Sequence, residues 1–420
     1  MSIKTVVLVI LYSVSLSSFA QNTLTYVQQL GKLLFNDRNL SANRNQSCAT
    51  CHSLSPVKDI NGNKIAPAFV DLQNLLNGTP VSEGSIEFAT GSLNAPSVAY
   101  ASFSPNFHWD ETEGLYVGGQ FWNGRASNLT EQAKKPFLNP VEMAMPNEWA
   151  VISRLKENQT YRDLFWRVYQ IDLNNVPHIK NNLFKSATPE QIPTIYSRLA
   201  QAIAAFEKSP VFNKFNAKFD YVLAKKTRLK PIEQLGLNLF NGKAKCSACH
   251  ISTLSSDDKG QLLPPLFTDF TYDNIGLPRN LDIPSQPAPN QGLGGRGDIK
   301  KRDVNGDEIG KHKVMGLRNI ALTAPYGHNG VLKTLEQVVH FYNTRDTLGQ
   351  VADNKSAGFG VTGWPAAEIN KNVNHDELGN LGLTANEEKA VVAFMKTLTD
   401  DYPQWGNDPL VPPGSAPPFE

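Results

Sequence analysis

Cysteine is scarce in this chain, and its scarcity is informative. Only 4 of 420 residues are cysteine, and all of them fall inside two short strings, Cys48-Ala49-Thr50-Cys51-His52 and Cys246-Ser247-Ala248-Cys249-His250. None remains to form a structural disulfide elsewhere. A dominant charge is also missing, because 40 Lys and Arg stand against 39 Asp and Glu. That balance excludes nucleic acid or an anionic membrane as the main partner, since neither would meet a strong basic field. Long apolar runs are absent too. The longest begins at Val6 and ends at Val14, behind Met1-Ser2-Ile3-Lys4 and ahead of Ser18-Phe19-Ala20. A basic start, a short apolar stretch and a small-x-small site describe a secretory signal with cleavage after Ala20. A membrane anchor is the alternative, but the run is far short of the ~20 residues that a spanning helix needs.

The two C-x-x-C-H strings carry the first chemistry. Each places two thiols for thioether bonds to haem vinyl groups, beside a histidine that can ligate iron. A single string could equally be a redox dithiol or half of a zinc site. Two strings that consume every cysteine, behind an export signal, point to two covalently bound haem c groups. Cys48, Cys51 and His52 would hold the first haem, and Cys246, Cys249 and His250 the second.

A degenerate repeat surrounds these strings. Gln29-Leu30-Gly31-Lys32-Leu33-Leu34-Phe35-Asn36 precedes the first, and Gln234-Leu235-Gly236-Leu237-Asn238-Leu239-Phe240-Asn241 precedes the second. Each reads as a short helix leading to its haem. Ile192, Ile195, Leu199, Ile203 and Phe206 recur three and four apart, which predicts an amphipathic helix closing the first half. Thr334-x-x-Gln337 and Thr384-x-x-Glu387 read as capping boxes that open further helices. Residues 275–310, rich in Gly, Pro, Asn and Asp, read as a long loop. The expected fold is mainly α, with two cytochrome c-like haem domains and long loops. The expected division is a signal peptide (1–20), a first haem domain (21–220), a second haem domain (221–400) and a Pro-rich tail (401–420).

Two strings in the loop are discounted. Gly292-Leu293-Gly294-Gly295-Arg296-Gly297 has the G-x-G-x-x-G form, yet no strand precedes it and a charged segment rather than a helix is expected after it. Asp303-Val304-Asn305-Gly306-Asp307 has its glycine misplaced for a calcium loop and reads as a solvated turn.

Two longer blocks resemble a known family. Gln120-Phe121-Trp122-Asn123-Gly124-Arg125-Ala126, continuing through Gln132, Pro136 and Asn139-Pro140-Val141-Glu142-Met143, is similar to the catalytic segment of bacterial di-haem cytochrome c peroxidases and the related MauG enzymes. The run from Leu317 to Gly330, containing Thr323-Ala324-Pro325-Tyr326-Gly327-His328, resembles that family's second-domain signature. The likeness extends in ordered blocks from about residue 28 to 400. It implies that the N-terminal haem is peroxidatic, that hydrogen peroxide raises haem iron to a high-valent state, and that the C-terminal haem transfers electrons. It assigns Trp122, Gln132 and Glu142 to the catalytic pocket, with Trp122 carrying charge between the haems. The chemistry agrees, because splitting peroxide requires a group that takes a proton from one oxygen and returns it to the other, and a carboxylate does both. Taken singly, Trp122 would read as core and Glu142 as a surface or capping carboxylate. Asn94, Thr323 and Pro325 match positions that hold a calcium ion in the family. An insertion around His108-Trp109-Asp110-Glu111 separates Asn94 from Trp122 here.

The resemblance divides at the second haem. Ordinary cytochrome c peroxidases place methionine fourteen residues after the histidine that here is His328, whereas MauG-like enzymes place tyrosine, and this chain has Tyr342. A thioether raises the iron potential, and a phenolate favours oxidised iron. Met315 is the rival ligand, and a plain core tyrosine is the simpler alternative. Conventional relatives also carry a histidine that blocks the first iron at rest. Residues 53–93 contain none, so that iron is expected to be open. His108, His178, His312, His340 and His375 show no metal-ligand spacing, and His108 is the one worth testing. Where MauG has a relay tryptophan two residues before its second haem string, this chain has Ala244, so Trp364 and Trp405 stand as alternative relays or as ordinary core.

The expectation is a periplasmic enzyme, without nucleic-acid or stable membrane partners, that uses peroxide to oxidise a protein or small molecule. The alternative is a cytochrome c peroxidase fed by a small cytochrome c or cupredoxin. A plain electron carrier is the non-enzymatic reading, and an open first iron beside Glu142 argues against it.

Overall fold

The computed structural model describes residues 24–177, 179, 188–256, 260 and 262–419. The signal expected at 1–20 and His178 lie outside the described residues. The helices that build the interior are α1 (Tyr26–Asn36), α2 (Leu129–Leu138), α3 (Glu148–Lys156), α4 (Gln159–Tyr169), α5 (Ile192–Glu207), α6 (Lys218–Leu223), α7 (Pro231–Phe240), α8 (Leu335–Thr344) and α9 (Ala385–Lys396). Among the described residues, strands are two to four residues long and occur only as two-stranded pairs. Mainly helical structure with long connections is therefore what the chain forms.

Local chemistry explains the helix starts. The Thr25 hydroxyl and the Gln28 side chain satisfy each other's backbone N–H at the head of α1, and Thr384 and Glu387 do the same at α9. At α8 the expected box is half formed. Thr334 caps the Gln337 N–H, but the Gln337 side chain accepts from the Lys333 N–H instead. Pro193 in the first turn of α5 loses no hydrogen bond there, and the apolar stripe from Ile192 to Phe206 is buried as its spacing predicts.

Two hydrophobic cores divide the interior. The first runs from Leu30 to Phe212, and the second from Phe219 to Leu398. The expected boundary at residue 220 falls inside α6, whose Phe219 belongs to the second core. Each core is organised on one helix crossing of the same design. A Cβ at Gly31 on α1 would lie 1.9 Å from the Ala202 carbonyl oxygen of α5 and 2.8 Å from the Phe206 Cβ. A Cβ at Gly236 on α7 would lie 1.9 Å from the Ala390 carbonyl oxygen of α9 and 2.8 Å from the Phe394 Cβ. Glycine normally weakens a helix, and here it is the residue that lets two backbones touch. The repeat noticed in the sequence is thus a repeat of packing.

A buried polar network joins the cores. Arg318 makes two hydrogen bonds to Asp220, of 2.9 and 2.7 Å, and lies over the rings of Tyr100 and Phe215. The Tyr100 hydroxyl donates to Asp400, which burial pushes up to about 6 despite the nearby guanidinium. In the long loop, Gly292–Gly295 forms a 3-10 turn, and Gly297–Lys300 forms one helical turn where a charged non-helical segment was expected. Arg296 there caps no strand and instead reaches the Gly124 carbonyl oxygen. Asp303 accepts from the Asp307 and Glu308 N–H groups, closing a turn on itself.

The packing repeat has a direct test. Gly31→Ala and Gly236→Ala each force a helix pair apart, and overpacking of this kind costs roughly 1–3 kcal/mol. Each substitution should lower the thermal midpoint of the holoprotein by several degrees, and an unchanged midpoint in both would contradict the crossing described here.

Candidate functional site

Two deep cavities lie along the contact between the cores. The first encloses about 1250 Å³ of atom-free space and the second about 1410 Å³, mouths included. His52 lines the first, and Cys246, Cys249 and His250 line the second. The two histidines are held alike. His52 Nδ1 faces the Phe69 carbonyl oxygen at 3.3 Å, and His250 Nδ1 faces the Phe267 carbonyl oxygen at 2.7 Å, each seventeen residues on. A carbonyl only accepts, so Nδ1 carries the proton and Nε2 keeps its lone pair for a metal. Burial lowers the pKa of both imidazoles, which keeps them neutral and ready to ligate.

Gln132 reaches the first cavity from α2, whose start is fixed by Asn128 capping the Glu131 N–H. Its Oε1 is buried and, among the described residues, accepts no hydrogen bond. Trp122 lines both cavities. Its indole N–H donates to the Asn94 carbonyl oxygen at 2.8 Å, and its own carbonyl accepts from the Lys313 N–H at 2.8 Å. Glu142 is not among the residues lining the first cavity. It sits by the cysteine thiols, within electrostatic range of Cys48 and Cys51, and accepts from Asn139 Nδ2 at 2.6 Å. Burial raises its pKa, and the Arg125 guanidinium opposes that rise. Arg125 itself lies over the Phe121 ring at 3.5 Å.

Tyr342 and Met315 both line the second cavity, and Met315 lines the first as well. Burial, reinforced by Asp273, pushes the Tyr342 phenol upward. Among the described residues no hydrogen bond reaches that phenol oxygen. Asn94, Thr323 and Pro325 all line the first cavity. Asn94 Nδ2 donates to the Pro80 carbonyl oxygen, which leaves Oδ1 without a hydrogen bond among the described residues.

Three groups escaped the sequence reading. Lys313 is buried and lines both cavities. Its ammonium donates only to Ser104 Oγ and the Gly119 carbonyl oxygen, and burial pulls its pKa down to about 7. Among the described residues no carboxylate pairs with it. His312 and His328 stack face to face at 3.6 Å on the wall of the second cavity, and His328 also meets Trp122 edge-on at 6.4 Å. His312, which shows no metal-ligand spacing in the sequence, is buried and forms part of the cavity wall. His108 is exposed and bonded to the Asn106 carbonyl oxygen, His340 pairs with Glu388, and His375 pairs with Asp346. Trp364 is buried against Phe341 and Phe359, the Trp405 indole donates to the Asp400 carbonyl oxygen, and neither lines the two cavities.

These features fit haem. A histidine whose Nδ1 faces a backbone carbonyl stands beside paired thiols in each half, and a buried ammonium that pairs with no carboxylate among the described residues lies between the cavities, where a haem carboxylate would complete it. Among the described residues no cluster of three His, Cys, Asp or Glu side chains offers an alternative metal site.

Comparison with known proteins agrees. A family model described as di-haem cytochrome c peroxidase matches residues 26–228. The methylamine utilization protein MauG of Paracoccus denitrificans is 35% identical over 378 residues, which cover 88% of this chain and 88% of that protein. Cytochrome c551 peroxidase of Nitrosomonas europaea is 29% identical over 394 residues, covering 92% and 84%. The crystal structure of the diheme peroxidase BthA from Burkholderia thailandensis superposes with a TM-score of 0.71 at 26% identity, covering 93% of this chain and 89% of that one. The chain belongs to the di-haem cytochrome c peroxidase and MauG family, and it is a peroxidase of that family with two haem cofactors.

Proposed function

We propose that the protein is a periplasmic, MauG-like enzyme that uses hydrogen peroxide to oxidise a protein or small-molecule partner at a distance. Residues 21–220 form the peroxidatic haem domain, residues 221–400 the electron-transfer haem domain, and 401–420 the tail. One observation carries the reading: a half-buried phenol, Tyr342, stands without a hydrogen-bond partner among the described residues in the cavity that His250 also lines. Among the described residues no helix is long and apolar enough to cross a membrane.

When bound, the two haems supply the redox chemistry that cleaves peroxide and retains its oxidising power. The protein residues do the rest. His52 and His250, their rings fixed by backbone carbonyls, would hold the two haem irons. The open Oε1 of Gln132 accepts a hydrogen bond from peroxide and orients it. Glu142 takes a proton from one peroxide oxygen and returns it to the other, while Asn139 holds the carboxylate and the Arg125 charge favours its ionised form. Trp122 passes charge between the two cavities. Tyr342 would offer the second haem a hard oxyanion donor, which suits shared oxidising equivalents better than electron uptake from a carrier. Asn94, whose Oδ1 takes no hydrogen bond among the described residues, and the backbone oxygens of Thr323 and Pro325 would suit a calcium ion. The second reading is a cytochrome c peroxidase that takes electrons from a small cytochrome c or cupredoxin. Met315, whose thioether lines both cavities, is the observation in its favour.

Spectra separate the two. Tyr342→Phe should shift the low-spin haem spectrum and leave the other haem alone, whereas an unaltered spectrum gives the ligand role to Met315. Glu142→Gln should cut peroxide turnover by at least about 100-fold with both haems retained, and unchanged turnover removes Glu142 from the chemistry. The working form of Glu142 is the carboxylate, and burial raises its pKa. Turnover should therefore fall as pH drops through a value above the ordinary carboxylate range. A profile flat down to ordinary carboxylate pH contradicts that role.

A further inference from the structure

The insertion between Asn94 and Trp122 folds into a hairpin for which the reading above has no use. Strands β1 (His108–Asp110) and β2 (Leu115–Val117) pair antiparallel, with Trp109 opposite Tyr116. Trp109 is 40% exposed. Its ring meets Tyr116 edge-on at 4.8 Å, Tyr116 stacks parallel on Phe107 at 5.3 Å, and Phe107 meets the buried Tyr272 edge-on at 6.0 Å. The Arg296 guanidinium covers Phe107 at 3.9 Å.

The inner end of this row reaches the redox centre. Tyr272, on β3 (Tyr272–Asp273), pairs with Lys313 on β4 (His312–Lys313), and the Lys313 N–H donates to the Trp122 carbonyl. A Cβ at Gly124 would lie 2.2 Å from the Tyr272 phenol oxygen, so that phenol abuts the turn two residues beyond Trp122. Asp273, the next residue, lines the second cavity. Ala244 leaves no oxidisable ring immediately before the second haem string. The hairpin places one at the surface instead.

We propose that this hairpin is the electron port of the enzyme: Trp109 takes electrons from an electron-rich aromatic donor, an indole or phenol presented at the surface, and passes them through Tyr116 and Tyr272 to Trp122. Phe107 is not oxidised and serves as packed medium between the two tyrosines. The donor class follows from redox matching, since an oxidised indole or phenol is readily reduced by a group of similar potential. Peroxide plus two electrons and two protons gives two waters. Two passages through Trp109 supply the electrons, and the donor loses two electrons and the two protons. The tyrosines are transit points, so a proton that a phenol yields on oxidation returns when the next electron arrives. This port rests on the reading that the enzyme oxidises a partner at a distance.

The test treats ferric holoprotein with peroxide and a nitroso spin trap, without any reductant, and maps the adducts by peptide mass spectrometry. Trp166 is the internal control, because at 55% it is more exposed than Trp109 and has no aromatic ring contact among the described residues. The expected result is an adduct on Trp109 and none on Trp166. Tyr116→Phe should abolish most of the Trp109 adduct, and Trp109→Phe should move the adduct to Tyr116, with both haem spectra and peroxide consumption intact. Equal labelling of Trp166, or a Trp109 adduct indifferent to Tyr116→Phe, overturns the port while leaving the peroxidase reading standing. A wild-type protein that does not consume peroxide overturns both.

Discussion

The position of Trp122 is the constraint on which the rest depends. Its indole N–H is committed to the Asn94 carbonyl, and its backbone carbonyl is committed to the Lys313 N–H, so the ring is pinned from both sides where the two cavities meet. Asn94 belongs to the first half of the chain and Lys313 to the second. Trp122 and Asn94 both lie in the first half, so the Lys313 hydrogen bond to the Trp122 carbonyl is the one that also ties the second half to the first. Arg318, Asp220, Tyr100 and Asp400 reinforce that contact with a buried, mutually satisfied network.

Within this frame one packing plan is used twice for unequal purposes. The glycine crossings at Gly31 and Gly236, and the histidine-to-carbonyl bonds at His52 and His250, are near copies. What differs is the polar atom left open in the cavity each histidine lines: the Gln132 amide oxygen in the first and the Tyr342 phenol in the second. Buried polar groups without partners are costly, so a chain that keeps several of them around two cavities is arranged for something that fills them. Lys313 is the strongest case. Its ammonium is taken out of water without a carboxylate to offset the cost, between two sites that each take an acidic porphyrin.

Much of this was legible in the sequence, and the reason is local. The C-x-x-C-H strings, the helix from Ile192 to Phe206 and the Thr384 cap are specified by residues within a turn or two of one another. So is the short helix ahead of each haem string. The features that were missed are built from distant residues. Lys313 is one basic residue in an irregular stretch until β4 lays it beside Tyr272. The His312–His328 stack joins residues sixteen apart across the cavity wall. The boundary near residue 220 is read from the apolar helical stripe that ends at Phe206, and Phe219 already packs with the second core. At Thr334 the box pattern was right and the partner was wrong, since Lys333 rather than Thr334 offers its N–H to Gln337. The insertion at His108 drew attention for its histidine, although in three dimensions its neighbour Trp109 has the more telling surroundings.

The central claim is that one cavity admits peroxide while the other, joined to it through Trp122, shares the oxidising power. Electron paramagnetic resonance of the ferric holoprotein, recorded before and after one equivalent of hydrogen peroxide, addresses it most directly. One high-spin and one low-spin signal that decline together is the expected result. Loss of the high-spin signal alone, or two low-spin signals indifferent to peroxide, would contradict it.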